Sequence, residues 1–318
     1  MHPVTEKWFA DRTFQEPAWT SSYLIAAKAG RRVSVVLPAL DEEETVGAIV
    51  RAIVPLTRGD APLVDELVVV DSGSTDRTIA VATEAGARVV RRTDVVPHLE
   101  PLPGKGEVLW RSLAATTGDV IVFIDSDLVD FDPAFVPSLL GPILTRPGVG
   151  LVKGFYRRPL RLETTEEESL EHGGGRVTEL LARPLLNAFW PELSGFVQPL
   201  SGEYAGRREL LERVPFVSGY GVEFGLLVDL AGLAGVDALA QVDLGTRQHA
   251  HQSDAALGRM AGQILQTAMA RRPGAGDPAS QLLQFLRTTD GVEAVSWDVA
   301  VSERPPMATV RAAASGGR

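Results

Sequence analysis

The segment "VIVFIDSDLVD" at residues 120–130 runs five apolar residues, Val120 to Ile124, straight into Asp125, Ser126 and Asp127. A strand wet on one face alternates apolar and polar residues, whereas an unbroken β-branched run is buried on both faces. Such a strand belongs inside a sheet covered by helices on either side. Its carboxylates then lie where the sheet ends.

The flanking sequence repeats the plan. "RVSVVLP" (32–38) predicts a buried strand. "DEEETVGAIVRAIVPL" (41–56) predicts a helix, with Val46, Ile49, Val50, Ile53 and Val54 at helical spacing and acids in its first turn. "ELVVVDSGSTD" (66–76) is again an apolar strand closed by an acid and a glycine turn. A helix "RTIAVATEAG", a strand "ARVVRR" and a helix "GKGEVLWRSLAATTG" (104–118) follow.

This alternation predicts an α/β fold with a mostly parallel, Rossmann-like sheet flanked by helices. Ligands of such sheets sit beyond the carboxyl ends of the strands. Pro38 with Asp41 and Glu42, Asp71 with Ser72, and Asp125-Ser126-Asp127 all fall at that edge.

Past residue 145 the pattern loosens. "GLVKGFYRRPL" (150–160) predicts another strand, and "VTELLARPLLNAF" and "VEFGLLVDLAGLAG" predict helices. "ALAQVDLGTRQHAHQ" (238–252) predicts a strand, and "RRPGAGDPAS" (271–280) a linker. The terminal "AAASGGR" has the composition of a disordered tail.

With no cysteine in 318 residues, disulfides, thiolate metal ligands and a thiol nucleophile are excluded, which suits a reducing compartment. No apolar run approaches the roughly 20 residues that span a bilayer. "MHPVTEKWFADRTFQEP" lacks a positive region followed by an apolar one. The expectation is a cytoplasmic chain without stable membrane association. Its net charge of −10 argues against nucleic acid as a partner.

Asp125 and Asp127 are hard oxygen donors at a strand end, suited to magnesium or manganese, and such an ion commonly bridges a diphosphate. Capping a turn is the alternative role. In "TRQHAH", Arg247, His249 and His251 point to one face of a strand, because side chains alternate with period two. Either histidine suits a metal and Arg247 a phosphate; an exposed strand end is the plain alternative. Lys105 in "PGKGE" opens a helix where a phosphate or base is in reach, but the glycine spacing of a Walker A loop is missing. "HGGGRVT" sets free amides, Arg176 and Thr178 at a helix start, suited to a phosphate or carboxylate, or to a hinge. Glu223 follows the turn "SGYG", where it suits sugar hydroxyls or plain solvent.

Taken in order, "LPALDEEETV", "VVDSGSTDRT", "PGKGEVLWRSL", "VFIDSDL", "VKGFYRRPL", "GGGRVTELLARPLL", "QPLSGEYAGRREL", "GYGVEFGLLVD" and "LGTRQH" resemble the actinobacterial glucosyl-3-phosphoglycerate synthases across roughly residues 30–250. The resemblance implies a GT-A fold and retaining transfer of glucose from UDP-glucose to D-3-phosphoglycerate. It also implies a divalent metal (Mg or Mn) and, usually, a homodimer. In mycobacteria that product begins methylglucose lipopolysaccharide synthesis.

The implied organisation is an N-terminal extension (1–30), a catalytic domain (31–253) and a C-terminal helical extension and tail (254–318). Within the catalytic domain, 31–145 would bind nucleotide and 146–253 acceptor. Carried over by position, Pro38, Leu40, Glu42, Ser72 and Lys105 would hold the uracil and ribose side. Asp125 and Ser126 would contact nucleoside or sugar, and Asp127 and His249 would ligate the metal. Arg247 would approach the donor diphosphate. Glu223 would bind glucose hydroxyls. Because the sequence offers no obvious nucleophile, front-face attack is the expected route, with the donor phosphate taking the acceptor proton and the Leu200 carbonyl assisting. Gly175, Arg176 and Thr178 would receive the acceptor. The family often has asparagine and arginine soon after the metal histidine; here the sequence is "HAHQSD", so His251 would replace an acceptor contact.

The alternatives are a mannosyl-3-phosphoglycerate synthase using GDP-mannose, an inverting family-two-like transferase acting on a lipid phosphate, a nucleotidyltransferase, and a sugar-nucleotide sensor without turnover.

Overall fold

A computed structural model describes residues 3–15, 19–157, 175–246, 253–272, 274, 276, 279–288 and 291–316. In chain order the strands are β1 (Thr13–Phe14), β2 (Val33–Ala39), β3 (Glu66–Asp71), β4 (Arg88–Arg91), β5 (Val120–Phe123) and β6 (Leu151–Arg157). They continue with β7 (Tyr204–Arg207), β8 (Phe216–Val217), β9 (Leu239–Thr246), β10 (Gln281–Thr288), β11 (Gly291–Asp298) and β12 (Glu303–Arg304).

Eight of them form one sheet, ordered β1-β9-β6-β7-β5-β2-β3-β4. All its pairings are parallel except those of β7, which runs antiparallel to both β5 and β6. This is the expected mostly parallel sheet flanked by helices.

The unbroken apolar runs have the expected cause. Val120, Val122 and Ile124 pack into one core with Val33, Val35 and Leu37, while Ile121, Phe123 and Val36 pack into a second core on the other face. Helices Ser21–Lys28, Val46–Ile53 and Phe135–Thr145 cover the first face. Helices Lys105–Ala115, Val222–Ala234 and Asp254–Ala270 cover the second.

Three local readings differ from the sequence expectation. The helix predicted over 41–56 starts at Val46, because the amides of Asp41, Glu42 and Glu43 donate to Ser74, Thr78 and Asp76 across a turn. Asp41 is in the left-handed region at φ 56, a conformation that asparagine and aspartate tolerate better than most residues. "VTELLARPLLNAF" is not one regular helix: Thr178–Ala182 is a π-helical turn, joined to an α-helix at Arg183–Phe189. Pro184 lacks the amide that an unbroken α-ladder needs there.

The third difference lies beyond the linker. The expected helical extension contains the helix Asp254–Ala270, but after it β10 and β11 make an antiparallel hairpin, and β12 pairs with β8. A helix Met307–Gly316 then covers much of "AAASGGR". Met307 is 1 % exposed in the second core, burial that anchors this end of the chain.

Candidate active site

Beyond the carboxyl ends of β2, β3 and β5 lies one large cavity of about 1640 Å³. Pro38, Leu40, Glu42, Ser72, Lys105, Asp125, Ser126 and Asp127 line it from the sheet side. Gly175, Arg176, Thr178, Leu200 and Glu223 line it from the other half of the chain. Every site residue read from the sequence that falls among the described residues therefore faces a single crevice. Arg247, His249 and His251 lie outside the described residues.

The strand ends are stitched to one another. The Ser72 amide donates to the Ala39 carbonyl (2.8 Å), and the Ile124 amide to that of Val36 (3.1 Å). The Ser126 hydroxyl donates to the Pro38 carbonyl, and Thr45 Oγ1 donates to the Ser126 carbonyl at 2.6 Å. Ser126 is thus buried as a fastener, while Asp125 and Asp127 on either side are left half-buried and exposed. The DSD triplet ends the strand by turning its serine inward and its acids toward the crevice. Asp71, by contrast, is a turn cap, accepting from the amides of Gly73 (2.9 Å) and Ser74 (3.1 Å).

Lys105 begins its helix because Gly106 lets the chain press on β8. A Cβ on Gly106 would stand 1.7 Å from the Val217 carbonyl oxygen. The lysine ammonium bridges Asp125 Oδ1 (2.5 Å) and Glu223 Oε1 (2.9 Å). Burial opposes the charge, but Asp125 and Glu223 outweigh it and hold the ammonium well above its ordinary pKa. Glu223, 7 % exposed, lies in the first turn of its helix, where the helix dipole favours an anion.

At the opposite wall, the guanidinium of Arg176 pairs with Asp254 and stays half in solvent, while Thr178 beneath it is buried. Sequence reading missed Arg92, which lines the crevice and donates to Ser72 Oγ at 3.1 Å. Its position just past the carboxyl end of β4 was the available signal. Met260, Gln263, Asp298 and Ser302 from the C-terminal part also line the crevice, and nothing in their local sequence marked them.

Among the described residues no group of three or more His, Asp or Glu is arranged to hold a metal ion. The donor chemistry nonetheless fits a hard divalent cation. Burial first, then the charge of Asp127 and more weakly that of Asp125, pushes the Glu42 carboxyl up to about 7. Three acids crowd one rim, and a cation there would relieve them.

A pH dependence follows for the metal-free chain. Because the folded value of Glu42 lies above the ordinary 4.5, the unfolded chain releases this proton first, and the group costs stability as pH rises from about 5 through 7. Glu42→Gln is therefore expected to melt higher than wild type at pH 8 and to show a smaller difference at pH 5. Thermal unfolding in chelator at the two pH values checks it; an equal difference at both would refute the assignment.

The comparisons with known proteins agree with this geometry. The family model for glycosyl transferase family 2 matches residues 34–200. The glucosyl-3-phosphoglycerate synthase of Mycolicibacterium smegmatis is 55 % identical over 305 residues, covering 96 % of this chain and 98 % of that one. The chain belongs to the glucosyl-3-phosphoglycerate synthase family. The synthase of Petrotoga mobilis is 42 % identical over 88 % of this chain and 87 % of its own.

Crystal structures of the Mycobacterium tuberculosis synthase superpose closely. The complex with Mn2+, UDP and phosphoglyceric acid gives a TM-score of 0.85 at 51 % identity, covering 94 % of this chain and 99 % of that one. A complex with Mn2+, UDP-glucose and phosphoglyceric acid gives 0.84 at the same identity and coverage. The match extends well past residue 200, into the segments that line the second half of the crevice.

Proposed function

We propose that this chain transfers glucose from UDP-glucose to D-3-phosphoglycerate, giving glucosyl-3-phosphoglycerate and UDP with retention at the anomeric carbon. One observation carries the reading: sheet-side and distal residues converge on a single cavity, in a chain that matches these synthases over nearly their whole length.

In this reading Pro38, Leu40, Glu42, Ser72 and Lys105 hold the uridine. Asp125 and Ser126 meet ribose or sugar, Glu223 accepts from glucose hydroxyls, and Arg247 approaches the diphosphate. Gly175, Arg176 and Thr178, with His251, hold the acceptor's phosphate and carboxylate. Asp127 and His249 hold Mn2+ or Mg2+, whose positive charge favours departure of the diphosphate.

The acceptor hydroxyl attacks the anomeric carbon from the face that UDP leaves. One C–O bond forms as the C–O bond to the β-phosphate breaks, and the hydroxyl proton passes to a phosphate oxygen. The Leu200 carbonyl accepts a hydrogen bond from that hydroxyl before transfer. Glu223 is committed to Lys105 and is not the nucleophile; trapping a glycosyl adduct on it would refute front-face attack.

The test is to incubate the chain with D-3-phosphoglycerate and either UDP-glucose or GDP-mannose, with Mn2+, Mg2+ or chelator, and identify the nucleoside diphosphate released. Release of UDP with an α-linked product supports the reading. Release of GDP alone, release of pyrophosphate, or an inverted product overturns it.

We further propose a cytoplasmic homodimer. No described helix is long and apolar enough to cross a membrane, and the β10–β11 hairpin exposes Leu283, Phe285 and Val292. Light scattering should return twice the chain mass of 34.1 kDa.

A further inference from the structure

Lys153 sits in β6 with buried residues on either side, and 2 % of its surface is exposed. An ammonium there has given up its hydration, a cost that needs local compensation. Its Nζ donates to the Ser201 carbonyl at 2.5 Å and stands 4.8 Å from the centre of the Tyr204 ring.

That carbonyl belongs to a tight loop. The Ser201 amide donates to the Gln198 carbonyl at 3.1 Å, and Ser201 Oγ donates to the fully buried Glu203 at 3.0 Å. Gly202 backs directly onto Asp125: a Cβ there would lie 2.2 Å from Oδ2. Leu200, one residue before the held carbonyl, lines the crevice. A shift of Ser201 would therefore move both the Leu200 carbonyl and the support behind Asp125.

Charged and polar groups from several elements surround it. Glu223 comes from the helix Val222–Ala234, Asp125 from just past β5, Glu203 from the loop into β7, Tyr204 from β7 itself, and Lys105 from the helix Lys105–Ala115. Burial draws the Lys153 pKa down to about 8, Lys105 adds to that, and Glu223, Glu203 and Asp125 oppose it. At neutral pH it is charged.

We propose that Lys153 is a positioning residue for glucose transfer, its ammonium fixing the Gln198–Glu203 loop, and with it the Leu200 carbonyl, against Asp125. This rests on the reading of the crevice as the site of glucose transfer.

The experiment compares wild type with Lys153→Met and Lys153→Arg, using UDP-glucose, D-3-phosphoglycerate and Mn2+, with UDP affinity measured by calorimetry. UDP lacks the sugar, so its affinity should stay within about twofold, while kcat for Lys153→Met falls about 100-fold, the scale of losing one preorganised donor. Lys153→Arg, which keeps the charge, should recover at least about tenfold of that loss. Should Lys153→Met not fold, Lys153→Gln carries the same comparison. A kcat within about twofold of wild type, or UDP affinity lost in step with kcat, overturns the proposal. An inactive wild type defeats the functional reading and this proposal together; an active wild type with an unaffected variant defeats the proposal alone.

Discussion

Asp127→Asn is expected to lower kcat by about 1,000-fold, roughly 4 kcal/mol of transition-state stabilisation. The substitution keeps the side chain's shape and removes its charge. Because Asp127 is exposed at the rim and Ser126 does the fastening, the strand end should survive the change. Asp125→Asn is a less clean experiment, since its carboxylate also anchors Lys105 and touches Gly202. The decisive readout is metal dependence. Wild type should bind UDP more tightly with Mn2+ than in chelator, and Asp127→Asn should bind it equally in both. A variant that keeps both its Mn2+-dependent turnover and its Mn2+-enhanced UDP binding would show that Asp127 holds no metal.

The sheet and its ligand edge were legible because burial on both faces leaves a mark in consecutive residues. Val120 to Ile124 could be read as an interior strand without knowing its neighbours, and the acids after it followed from where such a strand must end. The donor-side residues inherit that legibility, since Pro38, Ser72 and Asp125 are strand ends. Lys153 carried a similar signal, a charge inside an apolar run, whose meaning needed the loop that β7 brings beside it. Glu107 had the opposite problem. By local pattern it is an ordinary acid in the first turn of a helix, yet it is fully buried, because Arg304 reaches it from 197 positions away. Pairings at that separation leave no periodicity, which is also why the C-terminal wall of the crevice was missed. The hairpin was missed for a nearer reason: "QLLQFLRT" alternates poorly, and its exposed Leu283 and Phe285 mimic core residues.

That buried network is where stability is expected to be most fragile. Arg111, fully buried, donates Nε to Glu107 Oε1 at 2.6 Å. Its remaining nitrogens reach the carbonyls of Arg92 (3.1 Å), Val95, Val96 (3.2 Å) and Leu99 (2.6 Å). Arg304 closes the far side, with Nε on Glu107 Oε2 at 2.7 Å and Nη2 on Oε1 at 2.9 Å. Arg111→Met fills most of the volume but leaves buried carbonyls without donors and Glu107 with half its countercharge. Breaking such a pair from one side costs about 3–5 kcal/mol, whereas replacing the whole network by apolar groups would cost less. For a chain of this size that lowers the melting temperature by about 4–7 °C. Arg304→Met should cost less, because Arg111 still holds Glu107 and Arg304 lies nearer to solvent. The double variant should be non-additive, since both cations serve one carboxylate. Differential scanning calorimetry of the three variants decides it. A loss under 1 kcal/mol for Arg111→Met, or strictly additive losses, would mean that Glu107 does not couple the two arginines.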